Sequence, residues 1–416
     1  MTTCCQNLAL AIVCMLPVCT VSGQKARASR STDPPGRVIG YFAEHGVKSG
    51  RYTLKNVATS GAAAFLTELN YAFGKVANDR CEIADEELAL SHPYAAAESV
   101  DGGADSDGPH QLRGTFHQLQ ELKRLYPHLK IVISFGGWGQ SDGFSSAVQP
   151  EHLRDFVRSC VHIFIEGYFA PGVHVPGVFD GIDIDWEYPV DGGTSKGRPE
   201  DIQNFTAMAA EFRRQLAAVR PGLLLTAALP AEAELYANFE LKAISQSMDF
   251  LSIMAYDLHW NTEPRTYFHS ALFRDPDDPS TAPADTRYGD FAVQGFVHAG
   301  VPRKKIVFGV PFYGKGWTGV KGVEHGLYQP ATGPAKSGGG YSELQGLPAT
   351  ADRQYNSTAV SCTVWNDETF WSYDCPEAIR AKAQYVRAQH LGGAMFWELS
   401  HDTPDLELLR ALTARR

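Results

Sequence analysis

The sequence predicts an α/β fold, a (β/α)8 TIM barrel with a small α+β insertion between strands 7 and 8. Eight short apolar runs alternate with longer amphipathic stretches, and strand and helix alternating eight times are typical of this barrel. Such a barrel needs about 250 residues. Most of the surplus lies between the last two runs, which indicates an insertion there.

The apolar runs predict the barrel strands in chain order. Between them, apolar residues recur at helical spacing, as in the stretches that begin at Leu112, Phe156 and Phe205. The predicted strands begin at Arg37, Leu66, Leu129, Phe179, Gly222, Asp249, Lys305 and Gly392.

The chain begins with an apolar stretch from Leu8 to Cys19, followed by small residues up to Gly23. This is about the length of the apolar region of a signal peptide and is too short to span a bilayer comfortably. We therefore predict a signal peptide at residues 1–23 and a polar linker at residues 24–36. The protein is then secreted to the extracellular space, without membrane contact after cleavage; a retained anchor is the alternative, because no Lys or Arg precedes the apolar stretch.

The rest of the chain is divided between the barrel and its insertion. Residues 37–314 and 392–416 are predicted to form the barrel. Residues 315–391 contain S-G-G-G-Y-S-E-L and are predicted to form an inserted α+β subdomain beside the barrel mouth, together with the last barrel helix. No internal repeat or appended binding module is evident.

Charge and composition restrict the partners. The net charge is -10 and no basic run stands out, which argues against nucleic acid or an anionic membrane surface. The cysteine and histidine spacing does not predict a zinc site. We expect no metal, no cofactor and a monomeric protein.

The cysteines indicate disulfide bonds. Removal of the leader leaves Cys81, Cys160, Cys362 and Cys375, and an even number of cysteines in an exported chain favours disulfide pairing. Cys362 and Cys375 are close in sequence and are predicted to pair. Whether Cys81 pairs with Cys160 stays open.

The segment F-D-G-I-D-I-D-W-E-Y-P, residues 179–189, has an acidic face. Alternate side chains of a strand share one face, so Asp183, Asp185 and Glu187 point one way and the interleaved Ile and Trp residues point the other. A face in water usually mixes acids with Lys or Arg, and none occurs here. The pattern therefore favours a carboxylate cluster in a cavity, where crowding and desolvation keep one carboxyl protonated for general acid catalysis.

Barrel enzymes carry their active sites at the C-terminal ends of the strands. Aromatic rings and carboxylates meet there in this sequence, and both suit a sugar, whose flat faces stack on rings while its hydroxyls bind polar groups. The predicted strand ends carry Phe73 (second), Gly137 and Trp138 (third), Glu187 (fourth), Tyr256 and Asp257 (sixth) and Trp397 (eighth).

The motifs on these strands resemble those of one family. D-G-I-D-I-D-W-E, ending at Glu187, matches DxxDxDxE, the signature of family 18 glycoside hydrolases, the chitinases. S-F-G-G, ending at Gly137, resembles the SxGG segment of the family, and M-A-Y-D, ending at Asp257, resembles its MxYD segment. N-Y-A-F, G-V-P-F-Y-G and G-G-A-M-F-W-E follow its order as well.

The resemblance implies hydrolysis of β-1,4-linked N-acetylglucosamine polymers, that is chitin and chitooligosaccharides. It implies that Glu187 is the general acid and later the base, that Asp185 holds the substrate N-acetyl group, and that Asp183 pairs with Asp185. Tyr256 would donate to the acetamide oxygen. In this family the acetamide, not a second carboxylate, attacks the anomeric carbon, which implies a retaining reaction through an oxazolinium intermediate.

The resemblance also implies substrate contacts and one structural residue. Trp397 would form the floor under the cleaved sugar, and Asp180, outside the alternation, would be structural. The remaining predicted substrate-binding residues are Tyr41, Phe73, Gly137, Trp138, Tyr188, Met254 and Asp257.

Two alternatives stay open. A chitinase-like lectin keeps the barrel and the aromatic residues but usually loses the glutamate or an aspartate, and all of them are present here. An endo-β-N-acetylglucosaminidase that acts on N-glycans shares the acidic motif. The insertion and the Trp397 strand favour chitin.

Overall fold

The computed structural model describes residue 1 and residues 36–105, 112–336 and 339–414. The predicted signal peptide and linker lie outside the described residues, apart from Met1 and Gly36. The barrel strands are β1 (Arg37–Ala43), β2 (Glu68–Ala77), β3 (Lys130–Gly136), β4 (Gly181–Asp185), β5 (Leu224–Pro230), β6 (Phe250–Met254), β7 (Ile306–Pro311) and β8 (Gly393–Trp397).

These eight strands form a closed parallel sheet. Each strand pairs with its neighbours in chain order, and β8 pairs with β1 to close the ring. A short strand, Arg80–Glu82, forms an antiparallel hairpin with the end of β2. The prediction of a (β/α)8 barrel is confirmed.

Helices connect the strands and cover the outside of the barrel. Two π-helical turns, Glu87–Ser91 and Val161–Ile165, and several short 3₁₀ turns accompany them. The α-helices are His45–Lys48, Leu54–Thr59, Gly114–Leu125, Phe144–Ala147, Leu153–Cys160, Asp201–Val219, Ala233–Tyr236, Leu241–Ser247, Gly289–His298, Tyr341–Gln345, Pro376–Ala388 and Glu407–Thr413.

The two faces of β4 show why its sequence alternates. Ile182, Ile184 and Trp186 point outward and are fully buried under the helices, where the Trp186 ring stacks 5.2 Å from the ring of Phe144 and 6.1 Å from that of Phe205. Burial of each such side chain stabilises the fold by about 1.5–3 kcal/mol. The acidic side chains are thereby directed to the barrel interior.

The chain segment between β7 and β8 forms a second sheet. Its five strands are all antiparallel and run in the order Gly333–Pro334, Lys315–Thr318, Thr369–Tyr373, Ser361–Asn366 and Asp352–Asn356. Residues 36–416 group as one compact unit, so the division into residues 315–391 and a separate barrel stays a prediction.

Two disulfide bonds are present. Cys362 and Cys375 are joined with a Cα–Cα distance of 5.8 Å. Cys81 and Cys160, the pairing that the sequence left open, are joined as well, with a Cα–Cα distance of 4.9 Å. This second bond joins the β2 hairpin to the helix Leu153–Cys160. The two cysteines are 79 residues apart along the chain.

Of the helices in the described ranges, none is long and apolar enough to cross a membrane.

Candidate active site

The C-terminal ends of the strands surround a cleft of about 520 Å³. The structure brings most of the predicted site residues to its surface. Asp183, Gly137 and Asp180 are the exceptions. The predicted residues that line the cleft are Tyr41, Phe73, Trp138, Asp185, Glu187, Tyr188, Met254, Tyr256, Asp257 and Trp397.

Asp183 lies fully buried in the barrel interior. Its carboxyl accepts hydrogen bonds from Tyr41 Oη (2.8 Å), Ser134 Oγ (2.8 Å) and Thr226 Oγ1 (2.5 Å). Burial raises the pKa of Asp183, and these hydroxyl donors oppose that rise. The donors satisfy the carboxyl without Asp185, so the two aspartates interact through charge and share no hydrogen bond within the described residues.

Asp185, the next residue on this face, has little polar support. Its Oδ1 atom is buried and has no hydrogen-bond partner among the described residues. Burial raises the pKa of Asp185 well above its ordinary value, and the charges of Glu187 and Asp183 add to the rise. A buried polar atom without a partner is costly, so Asp185 Oδ1 can accept a hydrogen bond from a donor group of a ligand.

Glu187 lies two residues beyond β4, which ends at Asp185, so the expectation that it ends the strand is wrong. The chain leaves the sheet because Glu187 N donates to Ser141 Oγ (3.0 Å) instead of to a neighbouring strand. Ser141 Oγ in turn contacts Gly137 O at 3.2 Å. The loop after β3 therefore positions the glutamate.

The surroundings of Glu187 favour its protonated form. Burial raises its pKa to about 8, and the charges of Asp257 and Glu232 add to the rise, while a hydrogen bond to Tyr188 and the charge of Lys315 oppose it. A glutamate with this pKa holds its proton at neutral pH. The group is thus prepared to act as a general acid.

Asp257 differs from the other cleft carboxyls because Lys315 forms an ion pair with it. It accepts a hydrogen bond from Tyr313 Oη (2.7 Å), and Lys315 Nζ and His269 Nδ1 lie 3.1 Å and 3.4 Å from its carboxyl oxygens. Burial alone would raise the pKa of Asp257, but His269 and Lys315 outweigh burial and lower it. Asp257 is therefore an anion beside the cleft.

The hydroxyl group of Tyr256 is available to a ligand. Its recorded contact within the described residues is with Met395 Sδ at 3.8 Å, a weak acceptor. Burial raises the pKa of Tyr256 well above 10, and the charges of Asp185 and Asp257 raise it further. The side chain therefore stays neutral and can donate a hydrogen bond into the cleft.

Aromatic rings form the floor and one rim of the cleft. Trp397 lies 5.5 Å from the ring of Tyr41 and stacks at 5.6 Å on Phe73. Trp138 contacts Trp260 with ring centroids 4.8 Å apart, and the Trp138 side chain is 46% exposed. Flat exposed ring faces of this kind suit sugar rings.

Gly137 lies behind the cleft lining, and its assignment as a substrate-binding residue stays a prediction. Its φ is +84°, and a Cβ atom at this position would lie 2.6 Å from the Phe73 ring. Its N–H donates to Asp185 O (2.7 Å). Glycine is needed here because the backbone must turn closely under Phe73.

Asp180 lies at the opposite end of β4 from the cleft. Its carboxyl accepts a hydrogen bond from Ile131 N (3.0 Å) and lies 2.8 Å from Lys123 Nζ and 3.5 Å from Arg220. These contacts join β3, β4 and two helices, which suits a structural residue.

Several cleft residues were not predicted. Most of them follow β1, β3, β5, β6 or β7, outside the barrel strands, where no periodicity singles them out. For Tyr313 a signal existed, since it belongs to the G-V-P-F-Y-G run. The polar and aromatic residues concerned are Glu44, His45, Lys48, Lys75, Gln140, Glu232, Trp260 and Tyr313 at the cleft and Lys315 beside it.

No group of three or more metal-ligating side chains occurs within the part of the chain that the structure describes. The cleft chemistry set out above comes from carboxyl, hydroxyl and aromatic groups of the chain itself.

Comparisons with known proteins agree with the motifs. The model of glycosyl hydrolases family 18 matches residues 37–402. Chitinase C of Streptomyces lividans is 36% identical over 384 residues, which cover 88% of this chain and 57% of that protein. The chain therefore spans little more than half the length of this relative.

Solved structures are similar over nearly the whole chain. The catalytic domain of psychrophilic chitinase B from Arthrobacter TAD20 has a TM-score of 0.84 at 34% identity, with 91% of this chain and 94% of that chain covered. A family 18 N-acetylglucosaminidase from Paenibacillus barengoltzii has a TM-score of 0.71 at 29% identity, with coverage of 91% and 99%. The resemblance read from the motifs is confirmed: this chain belongs to the glycosyl hydrolases of family 18.

Proposed function

We propose that this protein is a chitinase that hydrolyses β-1,4-linked N-acetylglucosamine polymers by a retaining, substrate-assisted reaction. The observation that carries the proposal is the row of Asp183, Asp185 and Glu187, buried in the barrel and ending in a carboxyl with a pKa of about 8. The chitinases among its relatives support the choice of substrate.

In the first step, Glu187 gives its proton to the oxygen of the bond that breaks. Asp185 accepts the N–H of the substrate acetamide, and Tyr256 donates to the acetamide oxygen. That oxygen attacks the anomeric carbon as the bond to the leaving sugar breaks, so an oxazolinium ion forms and the leaving chain departs with the proton of Glu187. Held groups of this kind lower the barrier by orientation and charge stabilisation.

In the second step, water replaces the acetamide oxygen. The Glu187 carboxylate takes a proton from the water, the oxygen of the water bonds to the anomeric carbon, and the oxazolinium ring opens. Two displacements on opposite faces leave the configuration unchanged. Support for the acetamide as nucleophile comes from Asp185: its raised pKa favours the protonated form, and a protonated carboxyl is a poor nucleophile.

Asp183 has a supporting role in this proposal. Its three hydroxyl donors favour its charged form, and a fixed negative charge next to Asp185 favours a protonated Asp185. A positive charge that develops on the acetamide is then stabilised by the pair.

We also propose that the protein acts outside the cell. The two disulfide bonds fit an oxidising compartment, in agreement with the predicted signal peptide.

The test is hydrolysis of chitin tetramer followed by NMR of the first products. The proposal predicts β-configured N-acetylglucosamine dimer, with no release of glycans from an N-glycosylated protein. α-Configured product would contradict retention. Glycan release without tetramer cleavage would assign the protein as an endo-β-N-acetylglucosaminidase, and tight binding without cleavage would make it a lectin.

A further inference from the structure

Glu232 is a cleft carboxyl for which the mechanism above has no use. It follows β5 and lines the cleft. Among the described residues, no Lys, Arg or His forms an ion pair with it, and its own backbone amide donates a hydrogen bond to its carboxyl. The nearby cations are engaged elsewhere, Arg287 with Glu234 (2.7 Å) and Lys315 with Asp257 (3.1 Å).

The barrel order assigns Glu232 to one half of the cleft. The rings of Tyr41, Phe73 and Trp397 belong to β1, β2 and β8, and in the proposed function they hold the sugar whose bond is cleaved. Glu232 follows β5, which pairs with β4 and lies across the closed barrel from β1. With the cleaved sugar on those rings and Glu187 at the bond that breaks, the proposed function leaves the side of Glu232 to the leaving chain.

An uncharged sugar cannot form an ion pair with the Glu232 carboxylate. N-acetylglucosamine offers hydroxyl and amide groups, whereas its deacetylated form, glucosamine, carries an ammonium group at C2. An ammonium beside an unpaired, partly desolvated carboxylate gains more than the same pair in water. A cleft half with this charge pattern therefore distinguishes the two sugars.

We propose that Glu232 makes the leaving-group half of the cleft select glucosamine, so that partially N-deacetylated chitin is a preferred substrate. This inference rests on the proposed function. The acetyl group is still required on the other side of the cleaved bond, where Asp185 and Tyr256 bind it. Cleavage is then favoured between an N-acetylglucosamine and a following glucosamine.

The titration of Glu232 agrees with this role. Burial raises its pKa to about 7, the charges of Glu234 and Asp257 add to the rise, and its own amide and Arg287 oppose it. A bound ammonium would lower the pKa again, so deprotonation of Glu232 and binding of glucosamine favour each other.

The experiment is digestion of a random, partially N-acetylated chitosan at about pH 7, where Glu232 is partly ionised and part of the amino groups stays protonated, followed by sequencing of the products by mass spectrometry. The unit at each new non-reducing end is the one that stood next to the cleaved bond. The ratio of glucosamine to N-acetylglucosamine at these ends is compared with that of the polymer. This ratio does not depend on the overall rate.

The intact protein should enrich glucosamine at the new ends. Glu232→Gln should lower the ratio about threefold, as loss of one partly exposed ion pair predicts, and Glu232→Lys should lower it further. Glu240→Gln, which changes an exposed carboxyl outside the cleft that accepts a hydrogen bond from Thr206, should keep the ratio of the intact protein. A ratio unchanged in both Glu232 variants would overturn the inference.

A binding measurement separates this inference from the proposed function. If the protein cleaves neither chitin nor chitosan, the proposed function fails. Calorimetric titration with a glucosamine oligomer then still decides the role of Glu232. Weaker binding by Glu232→Gln than by Glu240→Gln supports it, and equal binding contradicts it.

Discussion

The two ends of β4 carry carboxyl groups in opposite circumstances. Asp180 at the amino end and Glu187 just beyond the carboxyl end are almost equally buried, at 5% and 8% exposure. Asp180 lies 2.8 Å from Lys123 and accepts a backbone N–H, whereas Glu187 has other carboxyls as its charged neighbours except for Lys315. Burial therefore does not distinguish a structural acid from a reactive one; the nearby cations do.

The same contrast occurs within the mouth of the barrel. Asp257 has Lys315 and His269 beside it and a lowered pKa, while Asp185 has none of these and a raised one. The mouth of the barrel thus holds an anion, Asp257, and an acid that keeps its proton at neutral pH, Glu187, as acid catalysis requires.

Removal of the Glu187 acid, just beyond the carboxyl end of β4, should have the largest effect on kcat. Glu187→Gln keeps the shape of the side chain but has no proton to give, so kcat for chitin tetramer should fall by about 10³-fold. The affinity for the oligomer, measured by calorimetry, should stay within about twofold, because Glu187 acts mainly in the transition state. A variant that keeps a tenth of the activity would remove Glu187 from the mechanism.

Tyr256→Phe should have the next largest effect. Loss of one donor to the developing charge on the acetamide should lower kcat about 10²-fold. The free energy of unfolding should hardly change, because the hydroxyl has only a weak contact with Met395. Chemical denaturation of the variant checks this, and a clear loss of stability would mean that the hydroxyl has a structural partner.

Asp180→Asn should have the opposite effect to Tyr256→Phe, with a loss of stability and little loss of activity. The variant leaves Lys123 and Arg220 without their anion at the bottom of the barrel, so the free energy of unfolding should fall by about 1–3 kcal/mol. The value of kcat/KM should stay within about twofold, since Asp180 lies at the far end of β4 from the cleft. A loss of activity comparable to that of Tyr256→Phe would contradict the separation of the two ends.

The sequence predicts the barrel and the acidic row well because both depend on short periods. Alternation along β4 places Ile182 and Ile184 against helices, and therefore places Asp183 and Asp185 inside. The motif order then brings Tyr256 and Trp397 to the same mouth. These inferences need only strand geometry and the rule that parallel strands end at one edge.

Other parts of the site could not be predicted because loops carry them. Glu232, Trp260 and Lys315 lie outside the barrel strands, and their positions depend on contacts far apart in the chain. The strand boundaries depend on such contacts too: Glu187 leaves the sheet because of Ser141. For Cys81 and Cys160, only the packed hairpin and helix show that the two residues meet.

The most direct test of the account is the dependence of kcat/KM on pH for a chitooligosaccharide, which reports the ionisation of the free enzyme. Because Glu187 must be protonated to act and its pKa is raised to about 8, activity should hold through neutral pH. Above about pH 8 it should fall tenfold per unit. Asp180→Asn should keep this limit, and Asp257→Asn should move it to lower pH by removal of a charge that raises the pKa of Glu187. A fall that begins near pH 5, where an ordinary glutamate has lost its proton, would contradict the central claim.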